Sequence, residues 1–266
     1  EYAGNIVLKK ALLKSINIVS AKLMQQVGPD KVIRTARKFG IKSPLGRHFS
    51  LALGTSGVSP LEIASAYSVI ANLGIYNEPY LIQQIEDFQG NRLYEHFYQG
   101  VQQYGPDTLY PLLDMMRGVV ERGTGKIVRR MGFQHPAAGK TGTTNGFKDA
   151  WFNGFTKDIS TSVWVGFDNN DSMKTRSGKG LTGASAAAPI WVHFMQKALE
   201  GKTKVKFPVP ANIKIATVDV KTGKVPGEFT LEKIEIAVKE DVDLSPLSIE
   251  DPISEVDANE NLEVKK

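Results

Sequence analysis

Apolar residues recur at helical spacing through residues 6–27, with one polar interruption at Lys14-Ser15-Ile16-Asn17. That pattern predicts helix on both sides of the interruption, resuming over 20–26 and stopping at Gly28-Pro29-Asp30. A second helix over 30–39 is capped by Asp30 and ends at Gly40, and 44–55 reads as loop. Ser59-Pro60-Leu61-Glu62 has the form of a helix start, with Ser59 as cap, and Gly74 closes that helix. Residues 80–87 and 92–97 alternate about Gln89-Gly90-Asn91 and predict a hairpin. Leu109, Leu112, Leu113, Met116 and Val119 mark a helix over 106–120, broken at Gly123-Thr124-Gly125.

After Ala137 the period changes. Residues 138–144, 150–156 and 160–167 predict three short strands joined by polar turns, an antiparallel meander. A loop rich in Ser, Lys and Gly covers 169–183, and a helix follows over 184–199. Residues 213–220 and 224–229 flank Thr222-Gly223 and predict a second hairpin. Beyond Lys239 the chain turns acidic and reads as an extended tail. The order of elements predicts an α/β protein of the α+β type, an antiparallel sheet flanked by helices. Its expected parts are 1–205, a β-hairpin extension over 206–236, and a flexible tail over 237–266.

The 266 residues carry 33 Lys and Arg against 28 Asp and Glu, a formal net charge of +5. The excess is spread along the chain, so it reads as solvated surface, and no nucleic-acid partner is expected. The chain has no cysteine, which excludes disulfides, thiolate zinc sites and a cysteine nucleophile. Its four histidines lack metal-ligand spacing, so neither a metal nor a cofactor is expected. Gly139-Lys140-Thr141 fails as a phosphate loop, because Gln134 stands where that motif needs glycine.

The segment Gly139-Lys140-Thr141-Gly142-Thr143-Thr144 is the strongest candidate site. On a strand Thr141 and Thr143 share one face and Lys140 lies on the other. Two hydroxyls can hold a carboxylate, a cation beneath supplies charge, and bare Gly142 lets a peptide lie close to the backbone. Trp151 and Phe152 read as sheet core, and Arg176 and Lys179 as solvated loop. The tripeptide alone is weak, since a second copy stands at Lys221-Thr222-Gly223 and reads as a plain turn.

The longer segment, followed by Asp149-Ala150-Trp151-Phe152, resembles the third motif of the penicillin-recognising serine enzymes, and class A penicillin-binding proteins in particular. The stretch from Leu12 to Leu23 resembles their Ser-x-Asn region, with Ser15 and Asn17 at its motif positions. Arg122-Gly123-Thr124-Gly125, Val163-Trp164-Val165-Gly166 and Ala187-Ala188-Pro189-Ile190-Trp191 also fit. The resemblance runs over about 225 residues and implies the penicillin-binding transpeptidase fold, shared with serine β-lactamases.

It also implies a D,D-transpeptidase acting through an acyl-serine on D-Ala-D-Ala stem peptides, with β-lactams as competing ligands. Ser15 and Lys140 would be catalytic. Asn17, Thr141, Gly142 and Thr143 would bind substrate, and the Thr143 N–H would be half of an oxyanion hole. The departure is the nucleophile, because no serine here is followed three residues later by lysine. The Ser-x-x-Lys motif is therefore expected upstream of Glu1, with the glycosyltransferase domain and membrane anchor of class A proteins. The partners expected are peptidoglycan stem peptides, β-lactams and the missing N-terminal part of the same domain. The expected location is the outer face of a bacterial cytoplasmic membrane, and this chain alone is expected to be inactive. Two alternatives stay open: a non-catalytic module binding peptidoglycan or a partner protein, and a D,D-carboxypeptidase or β-lactamase relative.

Overall fold

The computed structural model describes residues 4–245. The interrupted first helix resolves into α1 (Leu8–Lys14) and α2 (Asn17–Val27). Ser15 sits between them in the left-handed conformation, at φ 56 and ψ 50. The Ser15 N–H donates to Leu12 O and the Ile16 N–H to Ala11 O, so α1 ends in a left-handed cap without the usual glycine. A side chain in that region costs about 1 kcal/mol or more, and such strain is commonly kept where it positions a functional group.

Helix α3 (Pro29–Lys38) and a 3-10 turn (Phe49–Leu53) lead to α4 (Pro60–Ala71). The cap expected at Ser59 is present, and it closes a full capping box. Ser59 Oγ accepts the Glu62 N–H, and the Glu62 carboxylate accepts the Ser59 N–H at 2.8 Å. A two-stranded ribbon of β1 (Ile75–Tyr76) and β4 (Val101–Gln102) brackets the hairpin of β2 (Gln84–Glu86) and β3 (Arg92–Glu95). Helix α5 (Pro106–Arg122) then runs through the centre. It buries Leu109, Leu113, Met116 and Val120 along one helical face. A short α6 (Ile127–Arg130) follows.

The meander forms as predicted. Strands β5 (Ala138–Thr143), β6 (Asp149–Phe155) and β7 (Ser160–Gly166) make an antiparallel sheet in the order β5-β6-β7. Helix α7 (Ala188–Ala198), entered through a π-type turn over Gly183–Ala187, packs on this sheet. Trp191 is fully buried there, with ring centroids 5.2 Å from both Phe152 and Phe133, and its indole N–H donates to Gly154 O. Removing one such aromatic from water contributes about 1.5–3 kcal/mol.

The C-terminal hairpin differs from expectation. Strand β8 (Ile213–Asp219) pairs with β9 (Lys233–Lys239), not with residues 224–229. Thr222-Gly223 does make the tight turn, with the Gly223 N–H on Asp219 O, but residues 224–232 form a loop before the chain returns. The alternating apolar positions Ile234, Ile236 and Val238 fit the sheet, whereas Pro226 and Gly227 interrupt the nearer segment. The strand crosses position 236, and the Val225 N–H donates to Leu244 O, so the chain stays packed through the start of the expected tail. The rest of that tail lies outside the described residues.

A buried ion pair ties these parts together. Lys9 Nζ on α1 lies 2.6 Å from Asp114 Oδ2 on α5, and the same oxygen accepts the Ala237 N–H of β9. Removing one partner of such a pair costs about 3–5 kcal/mol. Among the described residues no helix is long and apolar enough to cross a membrane.

Candidate active site

Strand β5 is an edge strand, and its backbone can be read from one bond. The Thr144 N–H donates to Asp149 O at 3.1 Å, which makes that pair hydrogen-bonded. The alternation of an antiparallel ladder then bonds Gly142 and Lys140 to β6 and turns the N–H and C=O of Thr141 and Thr143 to the open edge. Lys140 Nζ donates to Thr141 O at 2.9 Å, as that orientation requires.

The Lys140 ammonium also reaches Ser15 Oγ at 2.7 Å, joining two segments 125 residues apart. Both residues line an open cleft of about 180 Å³ walled by Leu8, Ala11, Leu12, Leu112 and Met115. That apolar burial lowers the Lys140 pKa from its ordinary 10.5 to about 8. The group stays largely cationic at neutral pH, yet a neutral amine is reachable within about one unit.

The two threonine hydroxyls are held by elements on either side. Thr141 Oγ1 hydrogen-bonds Thr124 Oγ1 at 2.7 Å, and the Thr124 N–H donates to Leu13 O at 3.1 Å. Thr124 therefore links β5 to the turn that carries Ser15. A Cβ on Gly123 would stand 2.7 Å from Leu13 O and 2.8 Å from Val119 Cα, so only glycine lets α5 end this close to α1. On the other side Thr143 Oγ1 accepts the Gly183 N–H at 3.0 Å. A Cβ on Gly183 would stand 2.1 Å from Trp151 O and 2.5 Å from Gly142 O.

Ser15, Lys140, Thr141, Gly142 and Thr143 thus gather along one edge. Asn17 lies two residues beyond Ser15 as the first residue of α2, exposed, and its side chain makes no hydrogen bond among the described residues. Thr124 and Gly183 were not legible as site residues. Thr124 stands in the sequence as part of a glycine-rich break and of a segment that fits the family resemblance, with no role of its own marked. Gly183 sits inside Thr182-Gly183-Ala184-Ser185, where Thr182 and Ser185 form a reciprocal cap that the spacing of two hydroxyl residues signals.

The loop over 169–183 is docked more firmly than its composition suggests. Met173 is buried, its N–H donates to Phe147 O, and a Cβ on Gly180 would meet the Phe147 ring at 2.2 Å. Asp149 locks the hairpin end, accepting from Trp164 Nε1 at 2.8 Å and from Thr144 Oγ1 at 3.2 Å. Phe152 is core as expected, whereas Trp151 is half-buried, its Cβ 3.1 Å from where a Gly142 Cβ would stand.

Residues 1–196 match the family described as the penicillin binding protein transpeptidase domain. Penicillin-binding protein 1A of Aquifex aeolicus is 37% identical over 219 residues, covering 82% of this chain and 29% of that protein. Penicillin-binding protein 1A of Pseudomonas aeruginosa is 34% identical over 275 residues, covering 84% of this chain and 33% of that protein. The chain thus spans about a third or less of the length of these relatives.

Among solved structures, penicillin-binding protein 1A from Haemophilus influenzae superposes with a TM-score of 0.78 at 26% identity, over 91% of this chain and 41% of that one. The PonA1 protein of Mycobacterium tuberculosis, solved in complex with penicillin V, superposes with a TM-score of 0.69 at 28% identity, over 79% of this chain and 61% of that one. Profile, sequence relatives and fold agree: this chain belongs to the penicillin-binding protein transpeptidase domain family.

Proposed function

We propose that the chain forms one wall of a D,D-transpeptidase site that works through an acyl-serine supplied from outside this sequence. The observation that carries the reading is the 2.7 Å contact between Lys140 Nζ and Ser15 Oγ at the mouth of an apolar cleft. Two short motifs far apart in sequence meet where a nucleophile and its lysine would have to enter.

In this reading the incoming serine Oγ attacks the carbonyl between the two D-alanines of a stem peptide. The C–N bond breaks, D-alanine leaves with the proton, and the acyl group passes to an amine on a neighbouring strand. Lys140 and Ser15 form a proton-relaying pair beside the attacking oxygen. The open-edge N–H of Thr143 donates to the developing oxyanion, a contribution worth about 3 kcal/mol in comparable sites. Thr141 and Thr143 hold the terminal carboxylate, and Asn17 contacts the donor's amide. β-Lactams, whose carboxylate and strained amide mimic that peptide end, are acylating ligands of the same site. The longer protein is placed outside the cytoplasmic membrane, with an anchor and a glycosyltransferase domain beyond this sequence.

Fluorescent penicillin tests the reading. The longer protein should label covalently on a serine outside these residues, and the chain alone should not label. A longer protein that stays unlabelled while still binding stem peptides would overturn it.

A further inference from the structure

We propose that this chain carries a second ligand pocket, separate from the Ser15–Lys140 cleft, that binds a carboxylate-bearing amphiphile. The pocket lies on the other side of the turn between α1 and α2, against the loop that joins β8 to β9. Its volume is about 440 Å³, within the range of small-molecule sites. Ile6, Ile16 and Val220 line it with apolar surface, and Phe229 and Leu231 form its outer wall. Both wall residues are 91% exposed, so the concavity ends in bare apolar side chains with nothing packed on them among the described residues.

The charges around this apolar hollow are unequal once their partners are assigned. Lys10 is neutralised by Glu232. The Asp219 carboxylate is folded onto its own turn, where Oδ1 accepts the N–H of Lys221 at 2.7 Å and of Thr222 at 3.0 Å, but it keeps its charge, so the lining is left with an excess of one positive charge. Lys14 and Lys221 remain, both exposed and neither in an ion pair among the described residues. Two unpaired ammonium groups beside an apolar hollow suit a single anionic head on an apolar body. Lysines act as point charges, which fits a carboxylate without demanding bidentate geometry. The single excess positive charge disfavours a cationic head, and a neutral one would gain only the apolar contact.

Ile16 lines both pockets. It stands between Ser15 and Asn17, directly after the left-handed Ser15 whose hydroxyl meets Lys140. An occupant of the second pocket therefore bears on the same turn from behind, and its binding is coupled to the position of Ser15.

The test is a titration of the 266-residue chain with decanoate, decyltrimethylammonium and 1-decanol, followed by calorimetry and by isoleucine methyl and backbone amide NMR. It reads no acylation, so its outcome is independent of the transpeptidase reading. Decanoate should bind saturably at one site, at least tenfold tighter than the other two, and shift the methyl signals of Ile6 and Ile16. Lys14→Glu combined with Lys221→Glu should weaken decanoate at least tenfold. Phe229→Ser should weaken all three probes, and it decides the site should the charge variant fail a melting check. Absence of saturation, equal binding of the three head groups, or unchanged affinity in either variant overturns the pocket. A Ser15 amide signal that stays unchanged at decanoate saturation overturns the coupling.

Discussion

Two copies of Lys-Thr-Gly occur in this chain, and they differ in every physical respect except sequence. Lys140-Thr141-Gly142 lies in an edge strand, with the lysine half-buried against an apolar cleft and its pKa lowered to about 8. Lys221-Thr222-Gly223 is a turn. Gly223 has φ +71, and the two preceding N–H groups fold onto the carboxylate of Asp219. In the first copy the glycine relieves a tight approach: a Cβ on Gly142 would stand 3.1 Å from Trp151 Cβ, close enough that the neighbour would have to give by a few tenths of an ångström. In the second it is needed because the backbone is left-handed. A short motif carries chemistry only through the elements that surround it, which here are α1, the Gly123-Thr124-Gly125 break and the π-type turn.

The strongest way to break the comparison is to remove function from each copy in the longer protein. Lys140→Met should lower the rate of penicillin acylation by about 10²–10⁴-fold, the range for loss of a positioned proton-transfer group. Thr222→Ala should leave that rate within about twofold, because its hydroxyl accepts only the Lys224 N–H at 3.3 Å. Stopped-flow acylation rates compare the two. Similar losses would mean that the first copy is no more a site than the second.

Next in size are the glycines that hold the backbone. Gly183→Ala drives a methyl into Trp151 O and Gly142 O, backbone atoms that cannot step aside, and should cost about 3 kcal/mol. Gly223→Ala meets open space apart from Val7 Cγ1 at 3.4 Å, so only its left-handed φ is penalised, at about 1 kcal/mol. Urea denaturation of this chain measures both. A milder effect at Gly183 than at Gly223 would show that the π-type turn can swing away from β5.

Titration gives a separate readout of the first copy's lysine. The folded-state pKa of Lys140 is about 8 against 10.5 for an ordinary lysine, so between those values the unfolded chain binds more protons. Stability then rises with pH across that window, by at most about 1.4 kcal/mol per pH unit from this group. Tyr67, pushed up to about 12 by burial, acts oppositely above pH 10, because its unfolded form deprotonates first. The difference between the chain and its Lys140→Met variant isolates the lysine. The rise between about pH 8 and 10 should vanish in the variant, as read by melting temperature, and a rise that persists would assign it to another group.

Much of this was legible in the sequence. The helix start at Ser59, the α5 face and the three-stranded meander followed from periodicity and caps, because those signals are local. So did the turn at Ser15, which a polar break in an apolar run marks. The return strand of β8 departs from the expected 224–229 because the tight turn at Gly223 is real but the pairing partner lies beyond a nine-residue loop. A local turn signal says nothing about where pairing resumes. The roles of Thr124 and Gly183 are hidden from the sequence for a related reason. Each acts on β5 through one hydrogen bond across the fold, and a single polar contact between distant segments leaves no periodicity to read.

Thr124 provides the finest test. Its hydroxyl meets that of Thr141 at 2.7 Å, while its backbone holds Leu13, two residues before Ser15. Thr124→Val keeps the shape and the backbone bond and removes only the hydroxyl, a change worth about 1 kcal/mol. If Thr141 grips a ligand carboxylate, the loss falls on carboxylate recognition alone. In the longer protein, acylation by benzylpenicillin should then slow by roughly fivefold, that energy expressed as a rate. Acylation by its methyl ester, which lacks the charge, should hardly change. An equal loss on both would mean that Thr124 only braces the turn at Ser15, and the carboxylate site would have to be sought around Thr143 and the Gly183 turn instead.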